Sequence, residues 1–153
     1  MTIRAPKPED AAAVAALYNH YVLHSTASFE TEPLDAEQMR SRLESATARL
    51  VCERERAIVG FGYTHDWKER AAYRHTQEVT VYVAPDSTGL GIGRRLAECR
   101  TTECHALVAC ITADNDPSRR LFESIGFRRV SHFEQVGRKF GRWLDVVDYE
   151  LLL

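Results

Sequence analysis

Residues 75–95 read HTQEVTVYVAPDSTGLGIGRR, and the stretch changes character twice. Its first half is β-branched and aromatic, with Val79, Val81 and Val83 on one face and Glu78, Thr80 and Tyr82 on the other. That alternation predicts a strand over residues 75–83 with one apolar face. Pro85 has no amide for a ladder and ends it. Gly89, Gly91 and Gly93 then open a backbone loop, and a helix is expected to begin near Arg94. Strand, glycine loop and helix start together leave unpaired amides that suit a phosphate or pyrophosphate. The loop lacks the Gly-Lys-Ser/Thr ending of a P-loop, and its third glycine falls too close for a dinucleotide fingerprint.

A chain of 153 residues is expected to form one domain, residues 1–153, burying roughly two-thirds of its unfolded surface. Twenty basic against 22 acidic side chains leave a formal charge of −2, so no whole-molecule field points to nucleic acid or an anionic membrane. No apolar run approaches the roughly 20 residues of a membrane span, and the first ten residues do not resemble a signal peptide. A cytoplasmic protein is the expectation. Cys52, Cys99, Cys104 and Cys110 form no C-x-x-C pair and read as reduced thiols. His20 and His24 have a metal-compatible spacing but no acidic partner between them, so no metal is expected.

Outward from the central stretch, residues 2–5 suggest a short strand, and residues 11–21 a helix with Val14, Leu17, Tyr18 and Tyr21 on its apolar stripe. Residues 25–33 (STASFETEP) read as a loop, and Asp35 as the N-cap of a helix over 36–47. Residues 49–53 and 57–63 form a hairpin turning at 54–56, with Gly60 and Gly62 signalling a bulge or close approach. Residues 64–74 make a poor strand and are expected to deliver Arg70, Tyr73 and Arg74 close to Glu78. After the loop come a short helix over 94–104, an apolar strand over 106–112 and a helix from Pro117 to Ile125 closed by Gly126. Two final strands, 127–133 and 144–152, flank a basic glycine-containing segment at 136–142.

The order V-Y-V-A-P, G-L-G-I-G, I-T-A-D-N-D-P-S-R-R-L-F-E-S-I-G-F resembles the acetyl-CoA core of the GNAT N-acetyltransferases. L-Y-N-H-Y-V, S-F-E-T-E-P, W-K-E-R-A-A-Y-R-H-T-Q-E-V-T-V-Y-V and V-G-R-K-F-G-R-W-L-D-V are similar to the phosphinothricin and methionine sulfoximine acetyltransferase subgroup. The resemblance spans almost the whole chain. It implies a mixed α/β fold with a single, mostly antiparallel sheet, flanking helices, and central strands splayed to admit the pantetheine arm of acetyl-CoA. It also implies a homodimer and a small-molecule amine substrate.

Carried onto this sequence, the resemblance places the pantetheine arm on main-chain groups of Tyr82 and Val83. The pyrophosphate falls on amides of Ser87, Thr88, Gly89, Leu90, Gly91, Ile92, Gly93 and Arg94, and Asn115 and Ser118 meet the lower pantetheine or the thioester. Arg95, Arg119 and Arg120 are further candidates for CoA phosphates. Glu78 is the candidate base, because an ammonium must lose a proton before it attacks a thioester. An ion pair with Arg74 or Lys68 is the structural alternative for Glu78. Arg70 or Arg74 would read an acceptor carboxylate, with Phe29, Glu30 and Tyr73 shaping the pocket. The sequence departs from the family pattern at Asp86, where Gln or Arg is usual, and at Phe122, where a Tyr or His often protonates the leaving thiolate. Water, or another group such as Tyr82 or Tyr73, would then protonate the thiolate, or it would leave without a dedicated acid. The alternatives are the same chemistry on another amine, such as a peptide N-terminus, or an acyl-CoA-binding module without turnover.

Overall fold

The computed structural model describes all 153 residues. Seven strands, β1 (Thr2–Arg4), β2 (Ala48–Arg54), β3 (Ala57–Asp66), β4 (Thr76–Val83), β5 (Ala106–Thr112), β6 (Arg128–Lys139) and β7 (Arg142–Leu152), form one sheet. Their order is β1-β2-β3-β4-β5-β7-β6, and every neighbouring pair is antiparallel except β4 with β5. The expected mixed sheet is therefore the observed one. Helices α1 (Ala11–His24) and α2 (Ala36–Ser45) cover one face, with Val14, Leu17, Val22, Met39 and Leu43 packed on Val51 and Phe61. The opposite face meets α3 (Ile92–Leu96) and α4 (Asp116–Ser124), through Leu96 against Cys52 and Phe122 against Leu107 and Val147. No helix is long and apolar enough to cross a membrane.

Local chemistry explains the ends of these elements. Asp35 accepts from the Gln38 amide at 2.7 Å, and the Gln38 side chain accepts from the Asp35 amide at 2.9 Å, a reciprocal cap that starts α2 where the sequence placed it. Asn115 caps α4 by accepting from the Ser118 amide at 3.3 Å. Gly126 follows α4 at φ 99°, a left-handed position that favours glycine. The β2–β3 turn is tighter than its composition suggests, since Glu55 and Arg56 both hold positive φ, 52° and 67°.

Three sequence expectations need correction. The helix expected over 94–104 is only five residues, starting at Ile92 and ending at Leu96. The segment at 136–142 is not a connector: β6 runs to Lys139, and the reversal occurs at Phe140 and Gly141, with φ 52° and 72°. Strand β3 continues through Thr64, His65 and Asp66, three residues into the stretch expected to be irregular.

The first strand is tied to α1 by charge. Arg4 donates to Asp10 at 2.7 and 3.0 Å and to Glu53 at 2.7 and 2.9 Å. The Arg4 guanidinium, opposed by burial and helped by the Lys7 amide, holds the Asp10 carboxyl below the usual carboxylate range. A lowered folded-state pKa contributes stability above the ordinary carboxylate value of about 4, and that stability is lost as pH falls through the folded value. Asp10→Asn is expected to destabilise the protein by about 1–3 kcal/mol at neutral pH. The gap from wild type should close on acidification, as measured by urea unfolding across a pH series.

Candidate active site

Strands β4 and β5 keep register for only three pairs, Thr76–Ala106, Gln77–Leu107 and Glu78–Val108. Beyond Glu78 they part, while β4 stays paired to β3 from Thr64–Val79 to Gly60–Val83. The β4 edge that faces the gap therefore has main-chain donors and acceptors with no strand opposite them. The gap opens into a cleft of about 1130 Å³, which Glu78 and Val79 through Val83 enter from one side and Ala109 through Thr112 from the other. That is the scale of a site for a sizeable organic ligand.

One end of the cleft is the glycine loop. Ala84 is extended, residues Pro85–Ser87 make a single 3-10 turn, and Gly89 and Gly91 adopt φ of 77° and 75°. A Cβ at either glycine would meet nothing within 4 Å, so their requirement is the left-handed backbone and not lack of space. Ser87, Thr88, Gly89, Gly91, Ile92, Gly93 and Arg94 line the cleft; Leu90 faces outward and is 48% exposed. With α3 so short, the loop amides matter more than any helix macrodipole, which requires aligned peptides over several turns. An open edge strand beside a glycine loop that lines the same cleft could hold a pantetheine arm and a pyrophosphate.

Asp86, the departure from the family pattern in the loop, does not line this cleft. It accepts from the Ser87 hydroxyl at 3.0 Å and borders a separate surface hollow with Arg4 and Glu53. Of the candidate arginines, Arg94 reaches the cleft, whereas Arg119 is engaged with the Tyr149 hydroxyl and the Ala113 carbonyl at 3.2 and 2.9 Å. Asn115 and Ser118 line the cleft at the start of α4. The Val83 carbonyl already accepts from the Tyr21 hydroxyl.

The other end is walled by the loop between α1 and α2, which is pinned from four elements. The Tyr18 hydroxyl bonds Ser28 at 2.8 Å, the Tyr82 hydroxyl donates to the Ala27 carbonyl at 3.1 Å, and Thr112 donates to the Thr26 carbonyl at 2.6 Å. Lys139, 5% exposed, donates to the carbonyls of Ser25 and Ser28 at 2.8 and 2.6 Å. Burial pushes its ammonium pKa down, although Glu30 acts in the opposite sense. Phe29 lies against Gly137, where a Cβ would come within 2.3 Å of its ring. Lys139 and Gly137 sit in the segment read from sequence as a connector, so this support was not foreseen.

Glu78 stands at the fork, its side chain 24% exposed. The structure makes no ion pair between it and Arg74 or Lys68; its neighbour is His65, with Nε2 at 3.9 Å from the carboxylate. Arg70, Tyr73 and Arg74 do not line the cleft, contrary to the expectation that chain proximity would bring them there. Arg74 donates to the Ala71 carbonyl at 3.3 Å, and Tyr73 packs edge-on against Trp67. At this end of the cleft the arginine in the lining is Arg42 of α2, bonded to Glu30 and 5.4 Å from the Tyr18 ring centre. The second Glu30 oxygen is buried without a partner. The signal for Arg42 in the sequence was only a helical position one turn from Met39.

Phe122 is buried against Phe127 with ring centres 4.9 Å apart and presents no ionisable group. Tyr82 cannot easily substitute, since its proton is committed to Ala27 and burial raises its pKa. Cys110 lines the cleft as an exposed free thiol, and desolvation by the cleft walls raises its pKa, the Asp148 and Glu78 carboxylates acting in the same sense.

A family model described as Acetyltransferase (GNAT) family matches residues 14–127. The L-amino acid N-acyltransferase MnaT of Escherichia coli strain K12 is 38% identical over 162 residues, covering 100% of this chain and 94% of that protein. A phosphinothricin N-acetyltransferase of Alcaligenes faecalis is 38% identical over 156 residues, covering 95% and 79% respectively. Among solved structures, an acetyltransferase from Salmonella typhimurium with its cofactor acetyl-CoA superimposes with a TM-score of 0.92 at 36% identity, covering 100% of this chain and 94% of that one.

Proposed function

The chain belongs to the GNAT family and is an N-acetyltransferase that uses acetyl-CoA; on that premise we propose that it acetylates the α-amino group of a free, small amino-acid-like acceptor. The observation that carries this reading is the fork at Glu78, where a carboxylate stands beside the point at which β4 and β5 separate. When bound, acetyl-CoA supplies an acetyl group activated as a thioester. The residues of the chain do the remainder. The β4 edge at Tyr82 and Val83 and the amides from Ser87 to Arg94 hold the cofactor. Glu78 removes a proton from the acceptor ammonium, directly or through a water. Phe29, Glu30 and Tyr18 enclose the acceptor side chain.

Arg42 takes the part the sequence reading gave to Arg70 or Arg74. A guanidinium offers several donors in a fixed plane, and the bond to Glu30 leaves others free for an acceptor carboxylate. The pinned loop over this end supports a free amino acid over a peptide, because a peptide needs a groove open on both sides. The exposed apolar side chains Phe133, Trp143, Val136 and Phe140 on the last hairpin support a homodimer that covers them.

The test is acetyl-CoA turnover with methionine sulfoximine, phosphinothricin, ordinary amino acids, their decarboxylated amines and short peptides. Free amino acids should be the better substrates. Arg42→Gln should raise the acceptor KM about 10- to 100-fold and leave the acetyl-CoA KM unchanged. Decarboxylated amines should lose much less on the same substitution. Preferential turnover of peptides would overturn the acceptor assignment.

A further inference from the structure

We propose that His65 is the proton outlet of Glu78, a positioning residue that empties the base to solvent after each deprotonation. The proposal rests on the reading of Glu78 as base and adds a group that no local motif marks. His65 and Glu78 are register partners across β3 and β4, so their side chains stand on the same face of the sheet. Both line the cleft, and they differ in access: the His65 side chain is 46% exposed and that of Glu78 is 24% exposed.

The imidazole is also oriented. Nδ1 lies 2.9 Å from the Asp66 carbonyl oxygen, which can only accept, so Nδ1 carries the hydrogen of the neutral ring. The lone pair is then on Nε2, the atom that faces Glu78 at 3.9 Å. That separation suits one bridging water or a small side-chain rotation. The other titratable groups on this face are Tyr63 on β3, Cys110 on β5, Asp148 and Glu150 on β7 opposite Cys110 and Val108, and Arg42 on α2 beyond Tyr63. None of them joins Glu78 to bulk water through a half-exposed basic nitrogen.

The proton count requires such an exit. An ammonium acceptor has three N–H bonds and the amide product has one. The first proton passes from nitrogen to Glu78, then to Nε2 of His65, and leaves to water from the exposed ring. The free amine forms the new C–N bond at the thioester carbonyl, the C–S bond breaks, and the second proton from nitrogen ends on the departing sulfur. Glu78 is ready for another cycle only when the first proton has gone.

The experiment compares wild type, His65→Ala, Glu78→Gln and the double variant over about pH 6 to 10, in steady-state turnover with a good amino-acid acceptor. His65→Ala should lose roughly tenfold or more in kcat at neutral pH. The deficit should shrink as pH rises past about 8, where a growing share of the acceptor arrives as free amine. Added imidazole should restore rate to His65→Ala, and His65→Ala should add nothing to Glu78→Gln. A half-exposed site makes folding failure easy to detect by thermal melting with and without acetyl-CoA. A pH-independent deficit, no deficit, or no response to imidazole overturns the outlet while leaving the base assignment intact, provided Glu78→Gln is inactive. Full activity in Glu78→Gln sinks both.

Discussion

Replacing Glu78 with Gln should lower kcat by about 10²- to 10⁴-fold and leave acetyl-CoA binding as it was. That range corresponds to about 3–5 kcal/mol of transition-state stabilisation. The substitution keeps the shape of the side chain and its place at the fork, so β4 and β5 should part as before and the loop amides should keep their orientation. Only the ability to take a proton is removed. Its charge is not needed for folding through an arginine or lysine partner, since its one ion-pair neighbour is His65, so the melting temperature should move little. A calorimetric titration with CoA, run beside steady-state kinetics, separates the outcomes. Unchanged affinity with lost turnover supports the base, and unchanged turnover places the proton acceptor elsewhere.

The central part of this site was legible because its signals are local. Alternating β-branched residues, a proline stop and glycines at positive φ fix β4 and its loop within 21 consecutive residues, and Asn115 with Pro117 marks α4 in the same way. The acceptor end was not legible, because it is assembled by register and not by neighbourhood in the chain. Arg70 and Arg74 come just before Glu78 in sequence, yet β3 runs on to Asp66 and the turn after it carries both arginines past the end of the sheet. Arg42 lies 36 positions from Glu78 and arrives through the packing of α2 on Tyr18 and Tyr63. His65 arrives through antiparallel pairing that a one-residue slip would have sent to the opposite face. Lys139 was hidden for a related reason: a strand of mostly exposed and largely polar residues resembles a loop until its partner strand is known.

Gly62→Val should raise the acetyl-CoA KM by an order of magnitude or more while the acceptor KM changes little. Gly60 and Gly62 were read as a bulge or a close approach, and both features are present at this part of β3. The register slips between Cys52 and Glu53 opposite them, and α3 lies directly on the two glycines. A Cβ at Gly62 would sit 3.0 Å from the Leu96 carbonyl oxygen and 3.3 Å from the Thr80 carbonyl oxygen, and neither backbone atom can swing away. At Gly60 the two nearest atoms are instead in the Leu96 and Ile92 side chains, at 2.9 and 3.0 Å, which can repack, and the one backbone atom, the Tyr82 carbonyl oxygen, is farther at 3.3 Å. Valine at 62 must therefore lift α3 from the sheet, and overpacking of this kind costs about 1–3 kcal/mol. Because α3 follows the glycine loop without a spacer, lifting it shifts the amides from Gly89 to Arg94 out of line with the β4 edge. Gly60→Ala is the control, expected to cost less stability and to leave the acetyl-CoA KM within about threefold, because flexible side chains absorb the added methyl group. If both variants bind CoA like wild type, the loop is positioned by something other than the seat of α3 on β3.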